Sequence, residues 1–89
     1  MNILVAEDEA DIRKLLTISL EDEGYRVFPA ADGMAALELF EAEPIDLAIL
    51  DVMMPRLDGF NLLLRIREKS TIPVIFLTAR GEDMDKVMG

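Results

Sequence analysis

Four oxygen-bearing side chains stand where apolar runs stop. Glu7 and Asp8 follow Ile3–Ala6, Asp51 follows Ile45–Leu50, and Thr78 follows Val74–Leu77. If the first and third runs are neighbouring strands, Glu7, Asp8 and Asp51 come together. Three carboxylates so placed repel one another and hold protons more tightly. A hard divalent cation removes that conflict, and an oxygen-only donor set completed by water suits Mg²⁺ better than a softer metal. An Asp beside Mg²⁺ either ligates only, or uses its second oxygen to attack phosphorus and form an acyl phosphate. The metal then neutralises charge on the transferring phosphoryl oxygens. Thr78 offers a rotating hydroxyl to one of those oxygens. Met53 offers its backbone carbonyl, because a hard site has no use for soft sulfur, while Met54 packs or faces a partner.

Each residue also has an ordinary reading. Asp8 precedes a helical pattern and could be only its N-cap. Glu7 and Glu9 could be solvated acids favoured by the helix dipole. Asp51 could cap the turn before Pro55, and Thr78 could simply close a strand. What favours chemistry is their coincidence at three strand ends on one edge. Asp58-Gly59 reads as a turn and helix start. Glu21-Asp22-Glu23 and Glu41–Glu43 read as solvated helix ends.

The elements that must position these residues alternate strictly. Strands are expected over Ile3–Ala6, Tyr25–Phe28, Ile45–Leu50 and Val74–Leu77. Their apolar runs are continuous, as in parallel strands covered on both faces. Between them, Ile12, Leu15, Leu16 and Leu20 mark a helix ending at Gly24. A second helix opens near Asp32-Gly33 and carries Ala35, Ala36, Leu39 and Phe40 before Pro44. A third runs from about Gly59 through Leu63 and Ile66 and stops before Pro73. A fourth starts near Glu82, with Met84, Val87 and Met88 apolar. Such alternation specifies right-handed βαβ units and a doubly wound parallel sheet, whose sites lie at the carboxyl ends of the strands.

Composition narrows the chemistry further. Eighty-nine residues make one domain, 1–89, with a thin core. Nine Lys and Arg against eighteen Asp and Glu give a net charge of −9, which argues against gripping nucleic acid or an anionic membrane directly. With no Cys and no His, disulfides, thiolate catalysis, Ser-His-Asp chemistry and His- or Cys-ligated metals are excluded. No basic segment precedes the short N-terminal apolar run, and no run reaches the ~18 residues of a membrane span, so a cytoplasmic protein is the expectation.

The assembled residues resemble the receiver domain of two-component response regulators. The likeness is carried by Ile3-Leu4-Val5-Ala6-Glu7-Asp8-Glu9, by Asp46 to Gly59 and by Ile72 to Arg80. The most specific part is a hydrophobic strand running into Asp51-Val52-Met53-Met54-Pro55-Arg56-Leu57-Asp58-Gly59. Its wording is most similar to the branch carrying a C-terminal winged-helix DNA-binding domain. The resemblance implies a flavodoxin-like sheet of strand order 2-1-3-4. It makes Asp51 the phosphoacceptor, supplied by a histidine on a sensor kinase. Asp8, Asp51 and the Met53 carbonyl would hold Mg²⁺, with Glu7 acting directly or through water, and Thr78 would be the switch hydroxyl. Such a chain phosphorylates itself from a donor and is not a turnover enzyme on an external substrate.

Against the family pattern, the chain is expected to stop in its fourth helix, lacking the fifth strand and fifth helix. With them go the family's Lys that pairs with the acyl phosphate and the aromatic that answers the switch threonine. Lys86 and Tyr25 do not replace these. The fourth strand would then be an open edge, and self-association or domain swapping through it is expected. A receiver-derived fragment acting only as a folding or interaction module is the alternative. An aspartyl-phosphate phosphatase of the haloacid dehalogenase type is disfavoured because its D-x-D-x-T is absent. No G-x-G-x-x-G or G-x-x-x-x-G-K-[ST] loop follows any strand.

Overall fold

Leu4, Val5 and Ala6 of the first apolar run and Ala48 and Leu50 of the third are fully shielded from solvent. That is the burial expected of strands covered on both faces. In a computed structural model of the chain, which describes residues 1–77, these runs are the two central strands of a parallel sheet. The elements among the described residues are β1 (Asn2–Ala6), α1 (Ala10–Asp22), β2 (Arg26–Ala30), α2 (Gly33–Ala42), β3 (Leu47–Asp51), α3 (Gly59–Arg67) and β4 (Val74–Leu77). The strand order is β2-β1-β3-β4 and every pairing is parallel, the flavodoxin-like doubly wound arrangement expected. The expected fourth helix and Thr78 lie outside the described residues.

Among the described residues, helices cover both faces, unequally. On one side, Ala36 and Leu37 of α2 and Leu62 and Ile66 of α3 pack against Leu4, Ala6, Ala48 and Leu50. On the other, Leu16 and Leu20 of α1 lie against Ile3, Val5 and Ile49, with Val27, Leu47 and Leu77 at the margin. No residue of α1 is fully buried, and Leu15 and Ile18 face solvent. Among the described residues, β4 is paired only with β3, and its Ile75 is 51% exposed.

The bounds of β2 and β3 differ most from expectation, each for a backbone reason. β2 begins at Arg26 and passes through Pro29 to Ala30. Arg26 donates to the Met1 carbonyl and Ala30 accepts from Glu7, both at 3.0 Å. Residues 26, 28 and 30 therefore turn their amides toward β1, and Pro29 loses only an outward N–H on an edge strand. Ile45 belongs to the core, but its N–H turns back to the Glu43 carbonyl at 2.9 Å, so pairing of β3 starts two residues later.

Candidate functional site

The register decides which strand ends meet. Ala6 is level with Leu50 on β3 and Ala30 on β2, so Glu7 and Asp51, each one residue further on, leave the sheet side by side. Both are buried, at 3% and 2% exposed, while Asp8 is exposed at the mouth. Carboxylate oxygens of Glu7, Asp8 and Asp51 lie within 4.8 Å of one another. The three acids singled out from sequence therefore form one group.

Asp8 is not the cap of α1. That position is Glu9, whose side chain makes no capping bond, and whose N–H donates instead to Glu7 Oε2 at 2.9 Å. Asp51 does hold the turn after it, accepting from the Met53 N–H at 3.3 Å. Asp58 is a true cap, accepting from the Asn61 N–H at 2.8 Å, in line with its structural reading. Met54 packs into the core and Met53 projects outward at 70% exposure. Gly59 sits against the carbonyl of Asp51 so closely that a Cβ would collide with it, and its own N–H donates to the Val52 carbonyl at 3.0 Å. The loop of residues 52–58 thereby returns to the end of β3.

No ion pair compensates the charge of the three acids among the described residues. The ion pairs there join Arg56 to Asp32, Arg65 to Glu68 and Lys69 to Glu41. Arg13 approaches but donates to the backbone carbonyls of Glu7 (2.8 Å) and Asp8 (3.4 Å). It braces the turn from β1 into α1 without neutralising a carboxylate. Sequence reading missed this role, since only the six-residue spacing from Glu7 hints at it. Burial pushes the Glu7 carboxyl up to about 7, against the opposing pull of the Glu9 N–H, and the Asp51 charge adds to the rise. Asp51 is also raised, again chiefly by burial, with the Met53 N–H opposing and Asp8 reinforcing. Buried carboxylates grouped in this way fit a hard dication bound through oxygen.

The sequence matches the response regulator receiver domain over residues 3–89. The chain belongs to the response-regulator receiver family. Regulatory protein VanRc of Enterococcus gallinarum is 51% identical over 87 residues, which is 98% of this receiver and 38% of that relative. Transcriptional regulatory protein CseB of Streptomyces coelicolor is 46% identical over 88 residues, 99% of the receiver and 38% of the relative. The receiver thus spans little more than a third of these curated relatives. Among solved structures, chemotaxis protein CheY4 of Vibrio cholerae superposes with a TM-score of 0.83 at 32% identity, covering 99% of the receiver and 79% of that chain. Response regulator TrrA of Thermotoga maritima, solved in complex with Mg²⁺-BeF, gives a TM-score of 0.77 at 30% identity, covering 98% and 96%. Among the described residues, no helix of the receiver is long and apolar enough to cross a membrane.

Proposed function

We propose that this receiver accepts a phosphoryl group on Asp51 from a phosphohistidine of a sensor kinase and passes the change to an output. By the likeness to transcriptional regulators, that output is a DNA-binding domain in the cytoplasm. The observation that carries the reading is the meeting of Glu7, Asp8 and Asp51 at the carboxyl ends of adjacent strands, with no cationic partner among the described residues. Glu7, Asp8, Asp51 and the Met53 carbonyl are the groups that would hold Mg²⁺. When bound, Mg²⁺ supplies positive charge that offsets the acids and the transferring phosphoryl oxygens.

The chain's own residues do the rest. Asp51 must be ionised to act, and a carboxylate oxygen forms the O–P bond as the donor's P–N bond breaks, its electron pair leaving on the imidazole nitrogen. The Met53 N–H on Asp51 Oδ1 helps to orient the carboxylate. Thr78 follows directly on Leu77, the register partner of Asp51, and is assigned the switch hydroxyl. The reaction leaves the protein modified, so the receiver is a substrate and signal carrier, with no turnover of an external substrate.

Acetyl phosphate with Mg²⁺ tests this directly. Intact mass should show a gain of one phosphoryl group on the chain and none on Asp51→Ala. Equal labelling of both would place the acceptor elsewhere, and no labelling of either would remove the reading. A second reading, an interaction module joined through the β4 edge, is favoured by the one-sided pairing of β4 and the exposure of Ile75 among the described residues. Retained Mg²⁺ binding without phosphorylation would support it.

A further inference from the structure

The β3–α3 loop starts at Asp51 and carries the Met53 carbonyl, so its path sets the geometry of the site. Part of its shape is internal. Leu57 N–H donates to the Pro55 carbonyl at 2.8 Å across Arg56, whose φ is +73°. This is a γ-turn in the sparsely populated left-handed region, which a non-glycine residue holds only when its surroundings enforce it.

The enforcement comes from the corner between β2 and α2. Asp32 caps α2 by accepting from the Ala35 N–H at 2.8 Å, and the same Oδ1 lies 3.9 Å from Arg56 Nε. Gly33, the buried first residue of α2, is seated directly under Leu57. A Cβ there would collide with the Leu57 carbonyl oxygen and lie 2.6 Å from both its carbonyl carbon and its Cβ. Leu57 in turn packs on the main core cluster, so the loop is caught between core, corner and strained turn.

We infer that the Asp32–Gly33 corner is a positioning element for the phosphoacceptor loop. By lacking a side chain, Gly33 lets the Leu57 backbone settle onto α2, and the Arg56–Asp32 pair closes over the seat. A methyl group at residue 33 meets main chain rather than a flexible side chain, so the loop must retreat. The displacement runs back four residues along the loop, from Leu57 to the Met53 carbonyl and to the Met53 N–H that orients Asp51. Neither Asp32 nor Gly33 touches the reacting atoms; they act through the loop. The inference rests on the reading of Asp51 as phosphoacceptor.

The test compares Gly33→Ala with Ile3→Val, a core change on the opposite face and at the far end of β1. Both should lower the melting temperature, Ile3→Val through a lost methylene group. Only Gly33→Ala should shift the ¹H–¹⁵N resonances of Val52, Met53 and Leu57 in metal-free protein. It should also weaken Mn²⁺ binding, read by electron paramagnetic resonance, and slow acetyl-phosphate labelling by about ten-fold. Wild-type resonances at residues 52–57 with wild-type Mn²⁺ affinity would overturn the inference. So would losses in Gly33→Ala that only track its unfolded fraction, as in Ile3→Val.

Asp32→Asn keeps an oxygen to cap Ala35 but removes the charge facing Arg56, and serves if Gly33→Ala does not fold. Shifted Arg56 and Leu57 amides with about two-fold weaker Mn²⁺ binding support the corner's role, and unchanged values overturn it. If the wild-type chain binds Mn²⁺ but never labels on Asp51, the phosphoacceptor reading fails, and the resonance and Mn²⁺ comparisons still decide the positioning role.

Discussion

Glu7 is where burial and function conflict most directly. Its carboxyl is pushed from 4.5 up to about 7 by desolvation, so the folded chain binds a proton that the unfolded chain has already released. A raised carboxyl contributes stability that is fully present below 4.5 and lost as pH climbs through about 7. Metal-free protein should therefore lose about 2–3 kcal/mol between pH 5 and 8, read from urea midpoints. Glu7→Gln should flatten that profile, and saturating Mg²⁺ should reverse its upper half by binding the ionised form. A flat profile for the metal-free wild type would show that Glu7 is not the buried acid described. The sequence placed Glu7, Asp8 and Asp51 at strand ends. That two are buried and Asp8 exposed depends on how each loop leaves the sheet.

At the scale of elements, α1 stands apart. Its Ile12, Leu16 and Leu20 are only half-buried, its Leu15 and Ile18 face solvent, and its N-cap lacks a side-chain bond. By contrast, β1 and β3 carry four buried residues each. Hydrogen exchange should therefore be slowest in β1 and β3 and faster in α1. Glu9 already has the extended backbone of an N-cap, with φ −80° and ψ 119°. Glu9→Ser should supply the missing bond and raise stability by about 0.5–1 kcal/mol, with slower exchange confined to α1. No change in either would mean that the Glu7 carboxylate already serves the helix start as well as a cap does. The existence of these elements was legible from apolar spacing. Their ends were less so: Pro29 reads as a strand breaker until β2 is known to be an edge, where its missing N–H costs nothing.

At the scale of the molecule, the covering helices among the described residues are unevenly shared between the two faces of the sheet. Two helices close one face, whereas α1 alone lies on the other, leaving Ile75 exposed and β4 paired on one side among the described residues. An apolar strand so placed is a template for pairing, although the net charge of −9 opposes close approach of two copies. Sedimentation of the chain should show a mass that rises with concentration, and more so at high salt as repulsion is screened. Ile75→Lys should abolish the rise. A strict monomer across the same range and salt would exclude association through β4.

The amino-acid order by itself determined the alternation of strand and helix, the absence of His and Cys chemistry, and the acids at strand ends. Those are local properties: apolar periodicity, residue type, and position relative to a run. The tertiary structure decided what needs two distant segments at once. It set the register that puts Glu7 beside Asp51, and turned Arg13 to backbone carbonyls 5 and 6 residues before it. It also seated Leu57 on Gly33, a contact between a loop and a helix start 24 residues apart whose cause is the missing Cβ at Gly33. No local pattern records such a contact, because close approach depends on the distance between two backbones.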